Sequence, residues 1–219
     1  MLSKSDVQQQ VGKARSEDYS KRNFQQAFEL VMKLKDIDVK KLDLNINEVV
    51  FLPNKLAEEA RICVFASGDT AVRARNAGAD RVIESGELDT LASEKRSAKK
   101  LAREYQFFLA DTSLMPKIGR ILGQFLGPKG RMPTPVPPAA PIEALLARYR
   151  NGIRVKSRGS LSVAGKVGDE SLNDSQVAEN ALAVINQVER KLPNGEKNIQ
   201  TLLFKKTMGK PIKTKMVES

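Results

Sequence analysis

From Phe24 to Lys35 the chain sets Phe28, Leu30, Met32 and Leu34 against Glu29, Lys33 and Lys35. That period of two predicts an antiparallel strand with one wet face. Ile46 to Leu52 reads as its partner strand. Between about Arg61 and Tyr149 the pattern changes, and short apolar runs alternate with amphipathic stretches. Arg61 to Ser67, Arg81 to Glu84 and Phe107 to Ala110 are predicted strands. A stretch from near Asp69 to Gly78, a long charged segment from Leu88 to Glu104, and Pro141 to Tyr149 are predicted helices. Strands alternating with helices over roughly 90 residues predict a three-layer α/β unit on a small parallel sheet. Beyond it, Gly152 to Lys166 predicts two strands around an Arg158-Gly159 turn. Asn173 or Asp174 then caps a helix striped by Val177, Ala181, Val184, Ile185 and Val188 and ended by Pro193 and Gly195. Ile199 to Met208 is a last strand whose alternation is too poor to assign an inward face.

Neither flank can bury a full core alone. The economical fold is mixed α/β and α+β in two domains: a discontinuous α+β domain from residues 1–58 and 154–219, and an inserted three-layer, Rossmann-like α/β domain over 59–153. The chain would cross between them near Asn54 to Ala60 and near Asn151 to Lys156, forming a hinge. No internal repeat is evident, and Pro133 to Pro141 reads as a stiff spacer.

The segment Pro116 to Pro135, PKIGRILGQFLGPKGRMPTP, joins a helix to a purely basic loop. Ser113 can cap the helix, Pro116 suits its first turn, and Met115, Ile118, Leu122 and Phe125 mark a buried face. Gly127 and Gly130 permit positive φ, and Pro128 and Pro133 forbid continuation, so Lys129 and Arg131 are expected to project from the turn. No acidic residue lies between Thr112 and Ile142. The same Gly-Pro-Lys-Gly sequence also fits a plain surface turn. A second basic stretch, Lys197 to Met216, carries Lys197, Lys205, Lys206, Lys210, Lys213 and Lys215 without an acidic residue. Leu88 to Glu104, in contrast, mixes both signs as a solvated helix does. Thr207-Met208-Gly209 within the stripe fits either a strand end with a core methionine or an RNA-facing turn. In the second case glycine admits a close backbone, threonine offers a hydroxyl to a ribose and methionine packs on the sugar.

LGQFLGPKGRMPT, from Leu122 to Thr134, resembles the signature of the large-subunit ribosomal protein 1 family, the protein of the mobile side stalk. Ala77 to Asp80 (AGAD) and the Thr-Met-Gly triad at 207–209 are similar to family motifs in the same order. The resemblance implies a structural, non-enzymatic protein that binds a helix-and-loop junction of large-subunit rRNA near the tRNA exit site. It would assist release of deacylated tRNA, contact other ribosomal components, and repress translation by binding its own mRNA. The implied RNA-binding residues are Arg22, Phe24, Lys166 (in a Gly-Lys turn), Thr201, Lys205, Thr207, Met208 and Gly209. Lys117, Arg120, Lys129 and Arg131 would make weaker phosphate contacts from the insert. Arg22-Asn23-Phe24 is expected to open the first strand, although Phe24 taken alone reads as core. Ala27 departs from the pattern, since many relatives carry Ser or Thr there, and Lys210 separates Gly209 from the proline that often follows.

Composition narrows the rest. The 219 residues are 41% hydrophobic, enough for packed cores, and carry a formal net charge of +11, which favours an anionic partner. There is no histidine, which excludes triad hydrolases and histidine-bound zinc. Carboxylate or lysine chemistry stays formally open, but no motif organises it, and no cofactor is expected. Cys63, the single cysteine, reads as a core thiol. No run reaches the roughly 18–20 apolar residues of a membrane span, and the first ten residues lack a signal core, so a cytoplasmic, ribosome-associated location is expected without membrane contact. A nucleotide-binding enzyme is one rival reading, but SGDTAVRARNAG after the first central strand is no phosphate-cradling loop. A basic membrane-surface scaffold is another, and it lacks its amphipathic basic helix.

Overall fold

The computed structural model describes residues 3–17, 22–37, 45–137, 140–158 and 160–215. The chain runs α1 (Lys4–Ser16), β1 (Ala27–Leu34), β2 (Asn45–Phe51), β3 (Ile62–Phe65), α2 (Gly68–Asn76), β4 (Arg81–Ile83), α3 (Ser85–Ser93) and α4 (Lys95–Glu104). It continues through β5 (Phe107–Asp111), α5 (Met115–Leu126), β6 (Thr134–Val136), α6 (Ile142–Arg150), β7 (Gly152–Arg158), β8 (Ser162–Asp169), α7 (Asp174–Glu189), β9 (Ile199–Lys206) and β10 (Ile212–Lys215). Two compact units result, 1–58 with 151–219, and 59–150. The fold class is the mixed α/β and α+β arrangement that the periodicities predict.

The first unit is a six-stranded antiparallel sheet in the order β10-β9-β1-β8-β7-β2. Central β1 alternates as expected: Phe28, Leu30, Met32 and Leu34 are buried. Helices α1 and α7 pack on that face and on each other. The predicted stripe of α7, Val177, Ala181, Val184, Ile185 and Val188, is buried in full. Asn173 caps the helix, its Oδ1 accepting from Gln176 N at 2.9 Å while Gln176 Oε1 accepts from Asn173 N at 3.1 Å. One turn on, buried Asn180 accepts from Asn54 N at 2.9 Å and donates to Val167 O at 2.9 Å, tying α7 to β8 and to the segment after β2.

Helix α1 was not predicted. Its Ser3–Asp6 capping box and the spacing of buried Val7, Val11 and Ala14 are legible once sought, but the surrounding Gln and Lys residues dilute the pattern. The poor alternation of β9 also has a physical cause. Leu34 pairs with Ile199 and Lys33 with Thr201, so Gln200 is an extra, bulged residue. Past it, Leu202, Phe204 and Lys206 face the core, a phase that Ile199 does not share.

The second unit holds a parallel sheet in the order β4-β3-β5-β6. Cys63, Phe65, Phe108 and Ala110 point to one face, where α3, α4 and α5 supply Leu88, Leu91, Leu101, Ile118, Leu122 and Leu126. The alternate residues Ile62, Val64, Phe107 and Leu109 point to the other face, where Phe107 meets Tyr149 of α6 edge to face at 5.3 Å. Cys63 is wholly buried, which pushes its thiol pKa well up and leaves it inert.

Several local expectations are corrected. Leu88 to Glu104 is not one helix, because Glu94 interrupts it at φ −102°, ψ 79°, separating α3 from α4. Ser113 does not cap the signature helix. It lies in a 3-10 turn, Thr112–Leu114, and α5 starts from Leu114 with no side-chain cap, its orphan N–H relieved by Pro116. Gly127 keeps helical φ (−56°), and the left-handed turn falls on Gly130 alone (φ 65°). Pro133 to Pro141 is not only a spacer, since Thr134–Val136 forms edge strand β6, where Pro135 needs no ladder donor. The Arg158-Gly159 turn lies partly outside the described residues.

Candidate nucleic-acid interface

Antiparallel pairing of β1 with β9 brings the segment before Ala27 beside the segment after Lys206. Thr207 N donates to Ala27 O at 3.0 Å, and Ala27 N donates to Thr207 Oγ1 at 3.1 Å. Met208 N donates to Gln26 Oε1 at 3.0 Å, and Gly209 N turns back to Lys206 O at 2.9 Å. The N–H groups of Thr207, Met208 and Gly209 are thereby all fixed, the first two by Ala27 and Gln26. Phe24 and Met208, 51% and 58% exposed, stand at this end of the sheet, among the few large apolar side chains left in solvent in the described residues.

Behind the turn lies a buried polar support that the sequence did not reveal. Lys206 is 6% exposed and reaches Glu170 at 3.2 Å, while Glu170 Oε2 accepts from the backbone N of buried Gln26 at 3.0 Å. Lys206 therefore faces inward and is not part of the basic stripe. Next to it, Asp169 accepts from Ala57 N at 2.7 Å, from Ser171 N at 3.1 Å and from Ser171 Oγ. Burial pushes the Asp169 pKa up, but the bonds from Ser171 and Ala57, with Lys166 nearby, outweigh it and hold the carboxyl below its ordinary value. The only sequence signal for this support is the acidic pair Asp169-Glu170 at a strand end.

The remaining implied contacts spread over the open face of the sheet. Lys205 and Lys166 flank Glu29 in register on β9 and β8, Lys205 Nζ lying 4.0 Å from Glu29 Oε2. Lys166 lies within β8 rather than in a turn, and Arg22 to Phe24 precede β1 rather than opening it. Thr201 shares the outward phase of Lys205 but pairs with Lys33, six residues or about 20 Å along the strand from Thr207. Exposed Lys33, Lys156 and Lys213 have the same outward parity and extend the face; the period of two could have found them. The Thr207 hydroxyl also leans on Ala27 O at 3.4 Å, so its first role is to hold the turn, and its remaining lone pair can accept from a ribose.

The signature loop does not project. Lys129 Nζ donates to Ala102 O at 2.8 Å, and Arg131 donates to Ala102 O at 3.1 Å and Tyr105 O at 2.9 Å, closing the C-terminal end of α4. Lys117 is likewise occupied, by Ser85 and by Asp89 at 2.8 Å. Arg120 is exposed on α5. Replacing Arg131 with alanine is expected to lower the stability of the 59–150 unit by about 1–2 kcal/mol through the freed carbonyls. Its effect on the salt slope of RNA binding is expected to be small. Urea unfolding read beside a filter-binding salt series checks both, and unchanged stability with a flatter slope would restore the projecting loop.

At the strand ends of the parallel sheet, where phosphate-binding α/β folds leave backbone N–H groups open, Asp111 Oδ2 accepts from Ser67 N at 3.1 Å. A buried carboxylate there opposes a phosphate.

Among the described residues no group of His, Cys, Asp and Glu is placed to hold a metal. No helix among them is long and apolar enough to cross a membrane.

The chain is 47% identical to large ribosomal subunit protein uL1 of Cenarchaeum symbiosum, over 97% of both chains. It is 40% identical to the uL1 protein of Thermofilum pendens over 97% of this chain and 94% of that one. To its counterpart in Staphylothermus marinus it is 42% identical over 96% of both. The profile of the ribosomal protein L1p/L10e family matches residues 16–210, and with relatives this similar over nearly the whole length, the chain belongs to that family.

Proposed function

We propose that this chain is a structural RNA-binding protein of the large ribosomal subunit, acting on cytoplasmic ribosomes, and not an enzyme. The turn at Thr207-Met208-Gly209 and the exposed ring of Phe24 form the specific contact, lying against one helix-and-loop junction of large-subunit rRNA. The observation that carries this reading is the locking of that turn to Gln26 and Ala27. A rigid apolar edge costs little conformational entropy when it docks, so shape can be read. Arg22, Lys166, Lys205 and Thr201 supply surrounding phosphate and sugar contacts. The finer roles rest on the family: a place in the mobile side stalk near the tRNA exit site, assistance in releasing deacylated tRNA, and repression of its own mRNA through a similar junction.

Footprinting of the purified protein on complete large-subunit rRNA tests the assignment. One protected junction is the expected result. Diffuse protection, or equal affinity for the junction and an unrelated duplex lost together as salt rises, would leave only a general polyanion binder.

A further inference from the structure

The break at Glu94 sorts the charges of the segment Leu88 to Glu104. Helix α3 carries Glu87 and Asp89, whereas α4 carries Lys95, Arg96, Lys99, Lys100 and Arg103 against Glu104 alone. Arg96, Lys99, Lys100 and Arg103 fall at i, i+3, i+4 and i+7, one exposed face, while Ala98, Leu101 and Ala102 are buried beneath. These four, with Arg61 and Glu104, line an open groove of about 540 Å³. Its single carboxylate, Glu104, is 3.8 Å from Arg61. Lys129 and Arg131 lie outside that lining, their donors held by Ala102 O in the last turn of α4. The Lys129 pKa is held below its ordinary value, first by burial and then by Arg131, Arg103 and Lys99, a second sign of concentrated positive charge.

We propose that the α4 groove, lined by Arg61, Arg96, Lys99, Lys100 and Arg103, is a second RNA-binding surface that takes the sugar-phosphate backbone of a duplex without reading its sequence. Like charges at this spacing repel one another and weaken a helix. An anion that bridges them offsets that repulsion. From Arg96 to Arg103 the ridge spans about 10 Å at 1.5 Å per residue, the axial length over which one strand of a duplex presents about three phosphate charges. Among the described residues, none of the exposed large apolar side chains, Phe24, Val72, Met132, Leu161 and Met208, lines the groove, so the described lining offers no anchor of the kind that a bilayer surface or a partner protein would need. The inference rests on the proposed RNA-binding role but concerns a different unit of the chain.

The test uses the full chain and a 20-base-pair RNA duplex without a junction, with affinity measured from 50 to 300 mM salt. Lys99→Ala/Lys100→Ala/Arg103→Ala is expected to flatten the log–log salt slope by about 2 and to weaken binding about 10- to 100-fold at 0.1 M salt. Lys99→Arg/Lys100→Arg/Arg103→Lys is expected to keep both. A charge-matched control from the other unit, Lys13→Ala/Lys55→Ala/Arg190→Ala, is expected to change the slope by less than half as much. Equal slopes for the two alanine triples would overturn the groove in favour of net charge. Competition by polyglutamate or anionic vesicles as strong as by RNA would assign it to another partner. Failure of the rRNA-junction assignment reads separately, as loss of the preference for junction over duplex at high salt.

Discussion

Met208→Asp is expected to weaken binding to the junction RNA by about 30- to 150-fold, roughly 2–3 kcal/mol, while leaving the urea midpoint unchanged. The side chain is 58% exposed, and its residue is held through backbone N to Gln26 Oε1, so the substitution alters the surface and not the turn. Apolar packing against a base or sugar is worth about 1–3 kcal/mol, and a carboxylate adds repulsion from the flanking phosphates. Filter binding at two salt concentrations, on the junction and on a plain duplex, reads the outcome. The junction should lose its advantage and the duplex should change by the small increment of one added negative charge. Equal losses on both RNAs would remove Met208 from the specific contact.

A comparably large effect is expected on stability. Asp169→Ala is expected to cost about 3 kcal/mol at pH 7, because Ala57 N, Ser171 N and Ser171 Oγ lose a charged acceptor in a site where the residue is 2% exposed. The pH dependence has a definite sign. The folded pKa lies below the ordinary 3.8, so this contribution is complete above pH 3.8 and is lost as pH falls from there through the lowered folded value. The difference in urea midpoint between the wild type and Asp169→Ala should therefore be full at pH 7 and narrow as pH falls below about 3.8 through the lowered folded value. A constant difference down to acid pH would mean that the loss is one of packing, and no difference at neutral pH would remove the carboxylate from the account.

Most of the fold was legible where burial repeats at a clean period. Strand β1 alternates because one face meets α1 and α7, and the five apolar positions of α7 could be read for the same reason. Reading failed where a local irregularity resets the phase. The extra Gln200 hides the inward face of β9, and the break at Glu94 merges two helices of opposite charge into one apparent mixed segment. Thr207, Met208 and Phe24 were nameable through the family motif, and their approach follows from one strand pairing. Gln26, Lys206, Asp169 and Glu170 were not, because nothing in local sequence tells a buried polar residue from a solvated one. Lys129 and Arg131 show the converse: a basic loop taken for a phosphate contact spends its donors on the carbonyl end of a neighbouring helix.

The strand order around β1 has a consequence for biosynthesis. Both of its neighbours, β8 and β9, follow the 59–150 unit, so β1 leaves the polymerising ribosome roughly 130 residues before β8 can pair with it. At about 5–20 residues per second that interval is roughly 6 to 26 s, during which the stretch Phe28 to Leu34 has no native partner. The later segment can fold as soon as it emerges, whereas the N-terminal strand must be shielded from unwanted pairing until the rest arrives. A nascent chain arrested inside the insert would expose that unfinished edge, an opening for a chaperone that finished molecules do not present.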